Sequence, residues 1–139
     1  MSEFKLPTET VSLPSKGLLY PENNPLSSGK IEMKYMTAKE EDILTNQSYI
    51  ADGTVFDRLF KSLIVSDVNY DDLLVGDKNA VLIAARILGY GKDYKFSLGE
   101  EDFEVDLSLL QDKEIDESIY TRGVNKFSFT LPSSNTTVV

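Results

Sequence analysis

Two of the side chains that carry most enzyme chemistry are missing from this chain, which has neither cysteine nor histidine. Without cysteine there is no disulfide framework, no thiolate nucleophile and no thiolate-held metal. Without histidine the commonest general base, metal ligand and nucleophile activator is gone. Any catalysis would have to run on carboxylates. No apolar run reaches the roughly 18 residues of a membrane-spanning helix, and the opening MSEFKLPTET lacks the basic-then-apolar pattern of a secretory signal. Positive charge is also scarce. Lys and Arg number 14 against 23 Asp and Glu, a net charge of −9. Such a surface repels phosphate, so neither direct nucleic-acid binding nor a membrane partner is expected. The acid is concentrated in Glu100 to Glu117, as a solvated face or as a patch for a basic partner.

What is present suffices for one domain: 139 residues, of which 41% are apolar, with no internal repeat and no low-complexity segment. The stretch Ile31–Tyr94 holds most of the large aliphatic residues and most start and stop signals. Ile31, Met33 and Tyr35 alternate with Glu32, Lys34 and Met36, which predicts a short strand. Thr37 and Glu40 have the spacing of a capping box, opening a short helix that ends near Asn46. A second helix is expected from Asp52-Gly53-Thr54, with Val55, Phe56, Leu59, Phe60, Leu63 and Ile64 on its apolar face. Asn69 should cap a single turn before Leu73 and Leu74. A third helix is expected from Gly76-Asp77, capped by Asp77 and stopped by Gly89 at C′. Its residues are apolar almost all round, which would make it the most buried element.

Residues 1–30 are different. Prolines at 7, 14, 21 and 25 exclude a long helix and interrupt a central strand, yet Val11, Leu13, Leu18, Leu19, Tyr20 and Leu26 are too apolar for a free linker. The expectation is an extended arm, with a short strand at Val11–Leu13 and a turn at Pro14–Gly17, followed by a single domain over 31–139. The arm lies either on its own domain or on a neighbouring subunit. On the second alternative, removing residues 1–28 would leave a folded core and abolish co-purification with partners. Beyond Gly91 the period becomes two. Tyr94–Leu98 and Phe103–Leu107 form a hairpin around a loop at 99–102, with Tyr94, Phe96, Leu98, Phe103, Val105 and Leu107 on one face. Asn125–Leu131 is a further strand, and Thr136–Val139 begins a returning one. The fold class is α+β: a small core of about three helices packed on a short antiparallel sheet, with a proline-containing N-terminal arm.

Candidate chemistry is thin. Gly89-Tyr90-Gly91-Lys92 has a helix before it and Asp93 after it, whereas a phosphate loop needs a preceding strand and a following Ser or Thr. Asp71-Asp72 and Glu100-Glu101-Asp102 are the densest carboxylates, but they match no calcium loop, and no aromatic-lined stretch accompanies them to form a sugar cleft. No catalytic residue, cofactor or metal site is expected. The tyrosines are better suited to interfaces, where ring area and one polar handle combine. Tyr35 and Tyr94 are expected to be buried, while Tyr20, Tyr49 and Tyr90 are placed nearer an interface.

The segments LPSKGLLYPENNPLSSGKIEMKYMTAKEEDILTNQSYI (13–50) and NYDDLLVGDKNAVLIAARILGYGKDY (69–94) resemble the baseplate hub assembly proteins of T-even-type myoviruses. KYMTAKEEDIL and DDLLVGDKNA carry the resemblance, which covers roughly residues 10–107 and continues more weakly through KFSFTLPSSNTTV. It implies a structural or assembly role in the hub of a contractile-tail baseplate, in the virion or in the host cytoplasm during assembly. The implied partners are other tail and baseplate proteins, with self-association left open, and no catalytic residue is carried over. Family members run on past the last residue here, so this chain either ends on a brief strand or is shortened relative to them. Under this reading the arm docks on another baseplate protein through Leu13, Pro14, Leu18, Leu19 and Tyr20. The rival is a soluble assembly chaperone absent from the finished particle. A carboxylate enzyme and an acidic mimic of nucleic acid are the remaining classes.

Overall fold

The computed structural model describes residues 7–139, so the first six residues of the expected arm lie outside the described residues. The described chain is an α+β mixture of four helices and three two-stranded antiparallel sheets. Strand β1 (Thr8–Ser12) pairs with β2 (Lys30–Lys34) in a register that sets Val11 opposite Ile31. The period-two expectation holds for Ile31 and Met33, which are buried while Lys30 and Glu32 face out. The strand ends at Lys34, however, and Tyr35, expected to be buried, is only half-buried with its hydroxyl on Glu9.

The arm takes the first of its two alternatives. It is extended and proline-containing, but it is the first strand and first long loop of its own domain. Leu13 (2% exposed), Tyr20 (3%) and Leu26 (0%) belong to the same buried cluster as Ile31, Met33, Leu59, Phe60, Leu63, Val81 and Ala85. Leu13, Leu18 and Tyr20 are therefore withdrawn as anchors on another protein, because their own chain already covers them. The loop folds back on itself where Gly17, at φ +74, brings its Cα within reach of Ser27. A Cβ there would sit 2.3 Å from the Ser27 carbonyl oxygen, so only glycine fits.

Helix α1 (Ala38–Thr45) begins with the expected capping box: the Thr37 N–H donates to Glu40 Oε2 at 2.9 Å, and the Thr37 hydroxyl donates to the same oxygen. Asn46 then serves two helices. It ends α1, and its Oδ1 accepts the N–H groups of Ser48 and Tyr49 to open α2 (Gln47–Asp52), an element that the apolar pattern does not reveal. Gly53 closes α2 with φ +76 instead of opening the next helix. Helix α3 (Val55–Leu63) buries Leu59, Phe60 and Leu63, and the Phe60 ring lies 5.3 Å from that of Tyr70. Asn69 caps the turn Tyr70–Asp72 as expected.

Helix α4 (Val75–Tyr90) departs from expectation at both ends. Asp77 is not its cap but its third residue, and its carboxylate is turned onto the loop after β1 instead of onto α4's own backbone. Gly89 lies inside the helix against Met36, and Gly91 (φ +87) follows the last turn. Nor is α4 buried all round: Val81 and Ala85 face the core, whereas Val75 and Leu82 are exposed.

Strands β3 (Asp93–Leu98) and β4 (Glu101–Asp106) form the expected hairpin, with Phe96 opposite Phe103. Its turn is two residues long, because Glu101 and Asp102 join β4 opposite Leu98 and Ser97. Gly99 takes φ +63 at the first turn position, as a tight hairpin of this hand requires. After β4 the chain runs as short turns and extended segments across the N-terminal loop. The Gly123 N–H donates to the Leu18 carbonyl at 2.7 Å, and Arg122 Nη1 to that of Ser27 at 2.9 Å. The strand expected over 125–131 shrinks to β5 (Phe129–Thr130), which pairs with β6 (Thr137–Val138).

A free arm would tolerate truncation of its side chains, but a core segment would not. Leu26→Ala is expected to lower unfolding stability by about 3 kcal/mol, as for a fully buried leucine. A urea titration that finds no change would return residues 7–30 to the status of an appendage.

Candidate interaction surface

Buried carboxylates are the first place to look for chemistry, and two exist among the described residues, Glu40 and Asp77. Glu40 Oε1 takes Lys34 Nζ at 2.6 Å and the Ser62 hydroxyl at 2.6 Å, while Oε2 takes both Thr37 donors. Burial by itself pushes this carboxyl up. The hydrogen bonds from Lys34, Ser62 and Thr37 outweigh it and hold the group at about 2. Asp77 accepts from the Ser15 N–H (3.0 Å), the Ser15 hydroxyl (2.6 Å) and the Tyr20 hydroxyl. The Tyr20 oxygen in turn accepts the Leu74 N–H at 2.9 Å, at the mouth of α4. Burial first, and then the bond to Asp77, push the Tyr20 phenol well above its usual range.

A hollow of about 370 Å³ opens beside Asp77, lined by Pro14, Ser15, Leu74, Ile115 and Tyr120 among others. The Ser15 hydroxyl there donates to Asp77, which also takes the Ser15 N–H and the Tyr20 hydroxyl, so the contact seats the first loop on α4. Asp71 and Asp72 sit on one exposed turn, Glu100 on the hairpin turn, and Glu101 and Asp102 at the exposed start of β4. Among the described residues no set of three potential ligands converges on a metal position. No helix among them is long and apolar enough to cross a membrane.

The surface instead offers an uncovered row of rings at the end of α4. Tyr90 is exposed, and the Arg86 guanidinium lies over both its ring (5.2 Å) and that of Tyr94 (5.7 Å). Tyr94 meets Phe96 at 5.8 Å, and Phe96 stacks on Phe103 at 5.5 Å. Tyr94 is 44% exposed, Phe103 40% and Leu98 66%. The hairpin thus alternates as its sequence dictates, but its apolar face meets solvent instead of core, and Tyr94 is not buried as its alternation suggested. The base of the hairpin is fixed by Lys92, whose Nζ reaches Asp106 at 2.9 Å and whose carbonyl accepts the Leu107 N–H at 2.8 Å.

The residues singled out from sequence therefore separate. Leu13, Leu18 and Tyr20 are core, Pro14 and Leu19 are half-buried in the same loop, and Tyr49 is half-buried beneath Arg58 at 4.1 Å. Tyr90 alone lies on the exposed aromatic row. Tyr94, Phe96, Leu98 and Phe103 belong beside it. Their strict alternation was legible, but which side of the hairpin would be covered was not. No family model matches the chain, and no curated protein or solved structure shows significant similarity to it.

The pH response follows from Glu40. Its folded-state value of about 2 lies below that of a free carboxylate, so its contribution is complete above about pH 4.5 and is lost as pH falls toward 2. The linked loss across that window is about 3 kcal/mol. Glu40→Gln should be less stable than the parent at neutral pH, with the gap closing as pH falls from 5 to about 2 in chemical unfolding. A gap that stays constant over this range would mean that the ionised carboxylate does not hold β2, α1 and α3 together.

Proposed function

We propose that this protein works by protein–protein contact within a larger assembly, as a component of the central hub of a contractile-tail baseplate of the T-even type, and transforms no substrate. The observation that carries this reading is the uncovered aromatic row from Tyr90 to Phe103 on an otherwise ordered domain. Tyr90, Tyr94 and Phe103 are exposed, the half-buried Phe96 joins the last two and Arg86 spans the first two. Apolar surface of this kind is characteristic of faces that are covered in use. The resemblance of residues 13–50 and 69–94 to baseplate hub assembly proteins supplies the kind of assembly. The buried carboxylates support it from the other side. Each binds donors that hold elements of the fold together, a structural use of its charge. The rival within the same class is an assembly chaperone that leaves before the virion is complete.

Quantitative mass spectrometry of purified virions and of infected-cell extracts tests the reading. A fixed copy number per virion, held through stringent purification, is the expected result. Recovery with tail intermediates but not with virions would make the protein a chaperone. Its absence from both would overturn the assembly reading.

A further inference from the structure

The charge of this chain is unevenly placed, and part of the acid borders the aromatic row. Five carboxylates stand between Glu100 and Asp106 with no basic residue among them. The rest of the acidic run, Asp112 to Glu117, lies beside the first loop, where Glu117 holds Lys16. Glu101 pairs across the strands with Leu98, so it borders the rings directly, and Glu100 occupies the turn beyond them. Among the described residues Glu100, Glu101 and Asp102 have no basic side chain within 4.0 Å, whereas Asp93, Glu104 and Asp106 already hold Lys92 or Lys95. The hairpin is also only two strands wide. Ribbons of that width are marginal by themselves and gain from a covering surface.

We infer that the face formed by Tyr90, Tyr94, Phe96, Leu98 and Phe103 docks a different protein, one that presents an apolar patch flanked by lysine or arginine. This rests on the assembly reading above and names the chemistry of the partner. Charge complementarity selects it. Apolar area supplies the attraction, and acids at the rim steer a basic surface and repel an acidic one. A second copy of this chain is the wrong occupant. Isologous pairing through the hairpin would set one acid-rich rim beside another, and like charges across an interface are unfavourable at separations within the Debye length of about 8 Å.

The test uses the full chain and two synthetic strand peptides of equal length, one alternating lysine with valine and phenylalanine, the other carrying glutamate in place of lysine. Calorimetric titration should find binding of the lysine peptide, weakening as salt is raised, and none of the glutamate peptide. The double substitution Phe96→Ser with Phe103→Ser should weaken binding about tenfold or more, as for the loss of buried interface rings. Glu100→Lys with Glu101→Lys leaves the rings in place and should weaken it similarly, which keeps the test decisive if the first variant disturbs the hairpin. Sedimentation of the unsubstituted chain should give a monomer. Failure of the lysine peptide to bind, equal binding of the glutamate peptide, indifference to both substitutions, or a dimer that the ring substitutions dissolve would each overturn the inference. If the lysine peptide fails to bind but the protein is found in virions, this surface is refuted and the assembly reading stands. If it binds but the protein is found in neither virions nor tail intermediates, the assembly reading falls and the docking surface stands.

Discussion

A carboxylate removed from water must recover its lost hydrogen bonds from the protein, or it destabilises the fold that buried it. Glu40 and Asp77 both do so, chiefly with donors from other elements. Glu40 gathers Lys34 from β2, Thr37 from the mouth of α1 and Ser62 from α3. Asp77 gathers Ser15 and Tyr20 from the first loop onto the first turn of α4. The aliphatic cluster supplies most of the burial energy, but many arrangements could bury the same leucines. The two carboxylates are more selective, because a shift of any one donor leaves a buried lone pair unsatisfied. They fix where the loop after β1 sits and how the strand meets the helices, and hence how α4 is aimed when it delivers the hairpin at its far end.

The features legible in the sequence were those whose partners lie within a few residues. Thr37 and Glu40 form a box because three residues of helix separate them, and Asn69 caps its own next turn. The alternation of Phe96 with Tyr94 and Leu98 is equally local. Asp77 misled for the same reason. At the start of an apolar helix an aspartate suits an N-cap, but its real donors are 62 and 57 residues away in sequence, at Ser15 and Tyr20. Gly89 suited a C′ stop, but it lies inside the helix against Met36, a tertiary contact, and Gly91 follows the last turn. Helix α2 was hidden because it buries none of its residues and so leaves no apolar period to detect.

The candidate surface illustrates a different limit. Period two in Tyr94–Leu98 establishes that one side of the ribbon is apolar, but not what lies against it. In most domains the answer is the core, which is why Tyr94 suggested a buried ring. Here the core is already closed by the first loop. Leu13, Tyr20 and Leu26 share one buried cluster with Ile31 and Met33 of β2 and with Leu59, Phe60 and Leu63 of α3. The prolines that made residues 7–30 look like an appendage, and the alternation that made residues 93–106 look like core, misled in complementary directions.

That exchange bears directly on mechanism. An arm that grips a neighbour and a ribbon that receives one lead to different assemblies. The arm would lose conformational entropy on binding, because it is free beforehand. The ribbon is already ordered: its turn is set by Gly99, its base is tied by Lys92 to Asp106, and its rings are aligned through Arg86. A preformed face with fixed rings has little to order on docking, so more of its apolar burial appears as affinity. The acids at its tip then act mainly on which partner arrives and how fast, because exposed charges screened by salt contribute to steering more than to holding. Specificity and grip thus reside in different residues of the same short ribbon, the carboxylates at Glu100 and Glu101 and the rings at Phe96 and Phe103.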